Sequence, residues 1–312
     1  MNRWKKVISL LALTALLATG CTTSTDAKAS HKLKIVTTFY PMYDFAKHVA
    51  GDRADVTLLI PANVEPHDWE PTPQDLIKIQ NADVFVYNGA GLEGWVDKTL
   101  QSLHRDNLKV VEASKGLPLL DGQEQEEHTD RSDEHPMDPH VWLDPVLAQQ
   151  QVKVIQQALS DLDPANAAHY QDDAGSYIRQ LQDVDNAYRD VTSNAPRKDF
   201  VTSHSAFGYL AKRYGLEQIP ISGLNPDIEP TTTQVADVVK IARDRKTPVI
   251  YFESLVSPKI AEMVAQEIGC ETAVLDPLEG LSEEEQAQHM DYVTVMERNL
   301  EALKKSLLIP PR

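Results

Sequence analysis

Residues 163–192 read DPANAAHYQDDAGSYIRQLQDVDNAYRDVT. Within this stretch Tyr170, Tyr177, Leu181, Val184 and Tyr188 recur at spacings of three, four and seven, and most positions between them carry charges or amides. Such spacing gives an α-helix with one buried stripe. Asp163-Pro164 adds a cap residue and a first-turn proline at its start. The reading predicts one long helix over 164–193, and the segments on either side of it follow the same pattern as each other, so the helix is expected to connect two units.

Upstream, β-branched runs at 33–39, 56–60, 84–87 and 109–112 alternate with helical patterns ending near 50, 79 and 103, and a further helix is expected over 145–162. Downstream, runs at 200–202, 219–222, 249–252 and 273–275 alternate with helical patterns ending at 214, 245 and 268, before a last helix over 292–307. Strands separated by helices pair in parallel, because each return crossing consumes a helix. The fold expected is α/β, with two lobes at 33–163 and 197–312, each a parallel β-sheet flanked by helices, bridged by one long rigid helix at 164–193. Residues 121–138 interrupt the rhythm with carboxylates and amides that bury nothing, and are expected to form an acidic loop.

The chain carries 30 basic and 47 acidic side chains, a formal charge of −17. That excludes a phosphate backbone or an anionic lipid surface as the natural partner and suits a cation. At the N-terminus, Arg3, Lys5 and Lys6 precede an apolar run, 7–18, too short to span a bilayer, which has the form of a secretion signal. The run ends at Leu17-Ala18-Thr19-Gly20-Cys21, which resembles a bacterial lipobox with Ala18 in place of the usual bulkier aliphatic residue. The expectation is a signal peptide at 1–20, lipidation of Cys21, a tether at 21–32, and an extracytoplasmic location on the cell membrane. With Cys21 lipidated, Cys270 has no cysteine partner within the chain, and it is read as a buried thiol.

Three histidines follow expected strands or enter helices: His67 in Glu65-Pro66-His67-Asp68-Trp69-Glu70-Pro71, His140 in Asp138-Pro139-His140-Val141-Trp142-Leu143-Asp144-Pro145, and His204 in Thr202-Ser203-His204-Ser205-Ala206-Phe207. Asp276 follows the expected strand ending at Leu275. Ligands of open α/β sheets sit beyond the carboxyl ends of the strands, so these four side chains are placed to converge. Three imidazoles and one carboxylate would suit four-coordinate Zn²⁺, whereas Mn²⁺ favours more oxygen donors. Trp69 and Trp142, each two residues past a histidine, are read either as an apolar wall around a metal or as ordinary core. Glu253 is read as helix capping or domain packing, with acceptance from an imidazole N–H as the alternative. His31, His48, His104, His169 and His289 are read as surface residues, and the acidic loop with His128 and His135 as a solvated insertion, with secondary metal capture by those two histidines as the alternative.

These segments, together with Thr37-Thr38-Phe39-Tyr40-Pro41-Met42, Tyr87-Asn88-Gly89-Ala90-Gly91-Leu92-Glu93, His204-Ser205-Ala206-Phe207-Gly208-Tyr209 and Asp276-Pro277-Leu278, resemble the metal-binding receptors of zinc and manganese ABC importers, the cluster A-I or ZnuA/TroA-like family. The resemblance covers most of the chain beyond the signal. It implies metal ligands at His67, His140, His204 and Asp276, and histidine at the third position is similar to the zinc branch rather than the manganese branch. It also implies a monomeric, non-catalytic receptor that delivers Zn²⁺ (alternatively Mn²⁺) to a membrane permease, without nucleic acid. A surface adhesin and a zinc-dependent hydrolase are the competing readings. The second lacks a His-Glu-x-x-His pair, a nucleophile elbow and a phosphate-cradling loop.

Overall fold

The structure, a computed structural model, describes residues 32–103, 105–122 and 137–310. The first sheet takes its strands from β1 (Leu33–Thr37), β2 (Ala54–Leu58), β3 (Val84–Tyr87) and β4 (Lys109–Glu112), with α1 (Tyr40–Ala50), α2 (Pro73–Gln80) and α3 (Val96–Leu103) between them. All its pairings are parallel, in the order β2-β1-β3-β4. A two-residue antiparallel bridge, β5 (Leu120–Asp121) with β6 (Met137–Asp138), follows, and then α4 (Pro145–Leu162) and the long α5 (Ala167–Ser193).

The second sheet repeats the arrangement with β7 (Asp199–Thr202), α6 (Gly208–Tyr214), β8 (Glu217–Pro220), α7 (Thr232–Asp244), β9 (Val249–Phe252), α8 (Lys259–Ile268) and β10 (Glu271–Val274). Its order is β10-β9-β7-β8, again parallel throughout. A short α9 (Glu283–Ala287) and α10 (Tyr292–Leu307) close the chain. Two parallel sheets flanked by helices and one long helix are thus as expected.

Local departures have local causes. The long helix begins later than expected, because Pro164–Asn166 forms a 3₁₀ turn. Asp163 makes no side-chain cap bond there; its carboxylate instead accepts from Asn166 Nδ2 at 2.7 Å and the Tyr170 hydroxyl at 2.9 Å. Strand β8 ends at Pro220 where the sequence suggested 219–222. Ile221 and Ser222 continue beside the sheet through backbone bonds to Thr202 and Ser203. Cys270, free among the described residues, is only partly buried, and its thiol donates to the Glu271 carbonyl at 3.4 Å. Residues 1–31, 104, 123–136 and 311–312, and with them the signal, Cys21, His31, His104, His128 and His135, lie outside the described residues. Among the described residues no helix is long and apolar enough to cross a membrane.

The tyrosine stripe of α5 is buried as its spacing requires, and it lies inside one continuous apolar core. This core runs from Ile35 and Phe45 through Tyr177, Leu181 and Tyr188 to Phe200, Tyr251, Val295 and Leu303. Each buried tyrosine hydroxyl then needs an acceptor. Tyr177 donates to the Asp44 carboxylate of α1 and Tyr188 to the Met296 carbonyl of α10 at 2.9 Å, so α5 is tied to a helix of each half. His48, read as a surface residue, stacks on Tyr177 with ring centroids 3.9 Å apart, and its Nδ1 faces the Asp44 carbonyl at 2.9 Å. His169 and His289 are exposed as expected.

Loss of the hydroxyl should cost about 2 kcal/mol at Tyr177, where the acceptor is charged, and about 1 kcal/mol at Tyr188, where it is a helix carbonyl. Urea unfolding of Tyr177→Phe and Tyr188→Phe tests that order, and equal or negligible losses would contradict it.

Candidate metal site

The carboxyl ends of both sheets face a common seam. His67 lies in the loop between β2 and α2, His140 two residues past β6, His204 two residues past β7, and Glu279 in the loop that leaves β10. These four side chains, and no other group of three or more His, Cys, Asp or Glu among the described residues, lie close enough together to share a metal ion.

Their donor atoms are crowded. His140 Nε2 is 3.3 Å from His67 Nε2 and 3.4 Å from His204 Nε2. Glu279 Oε1 is 3.2 Å from His67 Nε2, 3.1 Å from His140 Nε2 and 3.5 Å from His204 Nε2. A tetrahedral ion with bonds of about 2.0–2.1 Å sets its donors about 3.3–3.4 Å apart. Five of the six separations are therefore close to the edges of a tetrahedron of zinc size, and all four donors lie within 4.8 Å of one another.

The far side of two rings explains why their lone pairs face inward. Asp138 Oδ1 accepts from the His140 backbone N–H at 2.9 Å and lies 2.8 Å from His140 Nδ1. Glu253 Oε1 stands 2.6 Å from His204 Nδ1 and accepts the His204 backbone N–H at 3.2 Å. An Nδ1–H held by a carboxylate leaves Nε2 of a neutral imidazole as the acceptor, the tautomer a metal requires. Glu253, directly after β9, thus takes the role that the sequence reading ranked second.

The loop bearing His140 is fixed from the first sheet. Asn88 Nδ2 donates to the Pro139 carbonyl at 2.9 Å, and Gln151 Nε2 donates to Asn88 Oδ1 at 2.9 Å. The buried Glu93 carboxylate gathers Asn88 N, Gly89 N and Thr38 Oγ1 at 2.8, 3.0 and 2.7 Å. Gly89 adopts φ +84, and a Cβ there would lie 2.5 Å from the Glu112 carboxylate, which accounts for glycine in the Asn88–Glu93 turn. Of the two tryptophans, Trp142 belongs to the site: its ring lies 5.1 Å from that of His140 and its Nε1 donates to the Pro277 carbonyl at 2.7 Å. Trp69 instead packs edge-on against Trp95, 5.4 Å away, as core.

Asp276, the carboxylate chosen from sequence, is not part of the group. Its Oδ2 accepts from Ser254 Oγ at 2.6 Å and Arg298 at 3.2 Å, and its Oδ1 from Leu278 N at 2.7 Å. Leu278, at φ +59, redirects the chain, and Glu279 is the residue that reaches the imidazoles. A carboxylate three residues past Asp276 was visible in Leu275-Asp276-Pro277-Leu278-Glu279, but nothing in the spacing marks the left-handed residue that selects it.

Burial works to raise the Glu279 carboxyl, yet the three imidazoles outweigh it and hold that group well below the usual carboxylate range. Burial would lower His204, but Glu253 and Glu279 prevail and hold its ring well above the ordinary histidine value. The same contest, with Asp138 and Glu279, raises His140. Burial wins at His67, helped by the neighbouring rings, and lowers it despite Glu279.

A parallel α/β pair joined by one long helix, with three imidazoles and a carboxylate at the seam, defines a solute-binding protein of ZnuA-like architecture. The chain belongs to the ZnuA family, "Zinc-uptake complex component A periplasmic", whose model matches residues 35–306. It is 46% identical to the high-affinity zinc uptake system protein ZnuA of Bacillus subtilis (strain 168), over 99% of each chain. It is 44% identical to the zinc-binding lipoprotein AdcA of Streptococcus pneumoniae (strain ATCC BAA-255 / R6) over 97% of this chain, and spans 61% of that longer protein. In structure it is similar to the Zn(II)-bound ZnuA-like domain of Streptococcus pneumoniae AdcA, with a TM-score of 0.78, 44% identity, and coverage of 89% of this chain and 100% of that one.

In ¹⁵N-histidine NMR of the metal-free protein, His204 should titrate above the ordinary value of about 6.5 and His67 below it. Glu253→Gln should bring His204 down. A His204 signal that titrates at the free-histidine value would contradict the ion-paired geometry.

Proposed function

We propose that this chain is the extracytoplasmic zinc receptor of an ABC importer. It takes one Zn²⁺ on Nε2 of His67, His140 and His204 and on Glu279, and presents it to a membrane permease. The observation that carries this reading is that five of the six donor separations among those four side chains are 3.1 to 3.5 Å. Three nitrogens and one oxygen at tetrahedral spacing suit zinc better than manganese, which favours more oxygen donors and higher coordination. The zinc-uptake names of the relatives support the same cargo. Zinc here is cargo, and no nucleophile or general base need be assigned.

The Asp138 and Glu253 carboxylates hold the Nδ1–H of two rings in place before the ion arrives, so that Nε2 is the atom left free for zinc once its proton departs and little reorientation remains to be done on capture. The Leu-Ala-Thr-Gly-Cys stretch at 17–21 supports a lipid on Cys21, with 21–32 as the tether that keeps the receptor near its permease. The secondary capture role of His128 and His135 stands as a separate proposal, tested by zinc stoichiometry with and without residues 123–136. A ratio of one in both would reject it.

Zinc binding to a four-ligand site releases about 10–16 kcal/mol in all, so loss of one ligand should cost about 3 kcal/mol, roughly a hundredfold in affinity. Chelator competition on His67→Ala, His140→Ala, His204→Ala and Glu279→Gln checks this, and unchanged affinity in any of the four would remove that residue from the site.

Protons compete for the same Nε2 atoms. Zinc affinity should therefore weaken by more than about tenfold between pH 7.5 and 5.5, with proton release on binding near neutrality from the rings held above the usual histidine value. Titration calorimetry in buffers of different ionisation enthalpy reads that release. A flat affinity over this range would contradict the assignment of imidazole ligands.

A further inference from the structure

The loop that delivers Glu279 is secured at several points, none of which touches the metal position. Asn299 of α10 makes a paired bond to the backbone of Asp276: its Nδ2 donates to the Asp276 carbonyl at 2.6 Å and its Oδ1 accepts the Asp276 N–H at 2.9 Å. The Asp276 side chain then holds the next turn, with Oδ1 on Leu278 N at 2.7 Å and Oδ2 on Ser254 Oγ at 2.6 Å. Trp142, beside His140, fixes the Pro277 carbonyl. Leu278 at φ +59 is a conformation a leucine adopts only when its surroundings impose it. Asn299 and Asp276 are both buried, at 1% exposure each, so neither bond is shared with solvent.

We infer that Asp276 and Asn299 are positioning residues for zinc capture, which hold the 276–279 turn in the left-handed form that aims the Glu279 carboxylate at the three imidazoles. The inference rests on Glu279 being a zinc ligand. Without the clamp the turn gains the ordinary backbone conformations open to leucine, and the carboxylate is no longer delivered to the fourth corner. Asp276 then acts through Glu279 alone, whereas an Asp276 that bound the ion itself would contribute independently of Glu279.

A double-mutant cycle separates these roles. Zinc affinity is measured by chelator competition for Asp276→Ala and Asn299→Ser, each in the native background and with Glu279→Gln, and far-UV circular dichroism of the metal-free proteins checks folding. Each substitution should lower affinity roughly ten- to a hundredfold in the native background, the usual effect of removing support for a ligand. With Glu279→Gln already present, either should cost less than about threefold. Asp276→Asn, which keeps the acceptor for Leu278 N, should restore most of the affinity lost in Asp276→Ala.

An equal loss in both backgrounds, or no loss in the native one, overturns the inference, and a result from whichever of Asp276→Ala and Asn299→Ser folds is sufficient. If neither folds, the cycle is read on Ser254→Ala, which removes only the hydroxyl bond to Oδ2. A coupled loss of at least about threefold that vanishes with Glu279→Gln supports the inference, and its absence overturns it. If Glu279→Gln by itself leaves zinc affinity unchanged, the ligand assignment fails instead, and that outcome is recognised before any cycle is closed.

Discussion

Three imidazoles and a carboxylate converge with their donor atoms within 4.8 Å of one another, and much of the polar structure around them serves to hold that convergence. Two of the rings are backed by carboxylates on Nδ1, so their Nε2 lone pairs point at the same small volume. In the metal-free protein Glu253 with Glu279 holds His204 basic and Asp138 with Glu279 holds His140 basic, while the imidazoles in turn hold Glu279 acidic. A divalent cation satisfies the same geometry more fully. The turns that carry these residues, the Asn88–Glu93 loop and the stretch around Asp276, are best understood as supports for this one convergence.

The supports come from both halves of the molecule because the halves share a core. Independent domains each have their own hydrophobic core, and relative motion between them is then the default. Here buried side chains continue from Ile35 to Leu307 by way of α5, and the hydroxyls of Tyr177 and Tyr188 fasten that helix to α1 and α10. The seam is therefore a boundary between sheets rather than between separately packed bodies. The positions of the four site residues across it are set by packing as well as by loops.

Much of this was legible in the residues. The parallel sheets follow from β-branched runs alternating with helical spacing, and α4, α10 and three strands fall on the expected bounds. The three histidines were legible because each stands just past a strand or at the mouth of a helix, where open sheets place their ligands. The carboxylate that joins them was not. Whether Asp276 or Glu279 faces the site depends on Leu278 taking a left-handed conformation, and that is imposed by Asn299, Ser254 and Trp142, which are distant in sequence. Glu253 was underrated for a similar reason: which way a side chain turns at the end of β9 is decided by its neighbours in space.

The two-residue bridge of Leu120–Asp121 with Met137–Asp138 stands between the acidic stretch and the carboxylate behind His140. Tyr209 locks it further, its hydroxyl accepting from Leu120 N and donating to the Asp138 carbonyl, both at 2.8 Å. The carboxylate behind His140 is thereby anchored through its own backbone from two directions, by a strand pairing and by a tyrosine hydroxyl of α6, so the orientation of the ring has a support that does not depend on the ring itself.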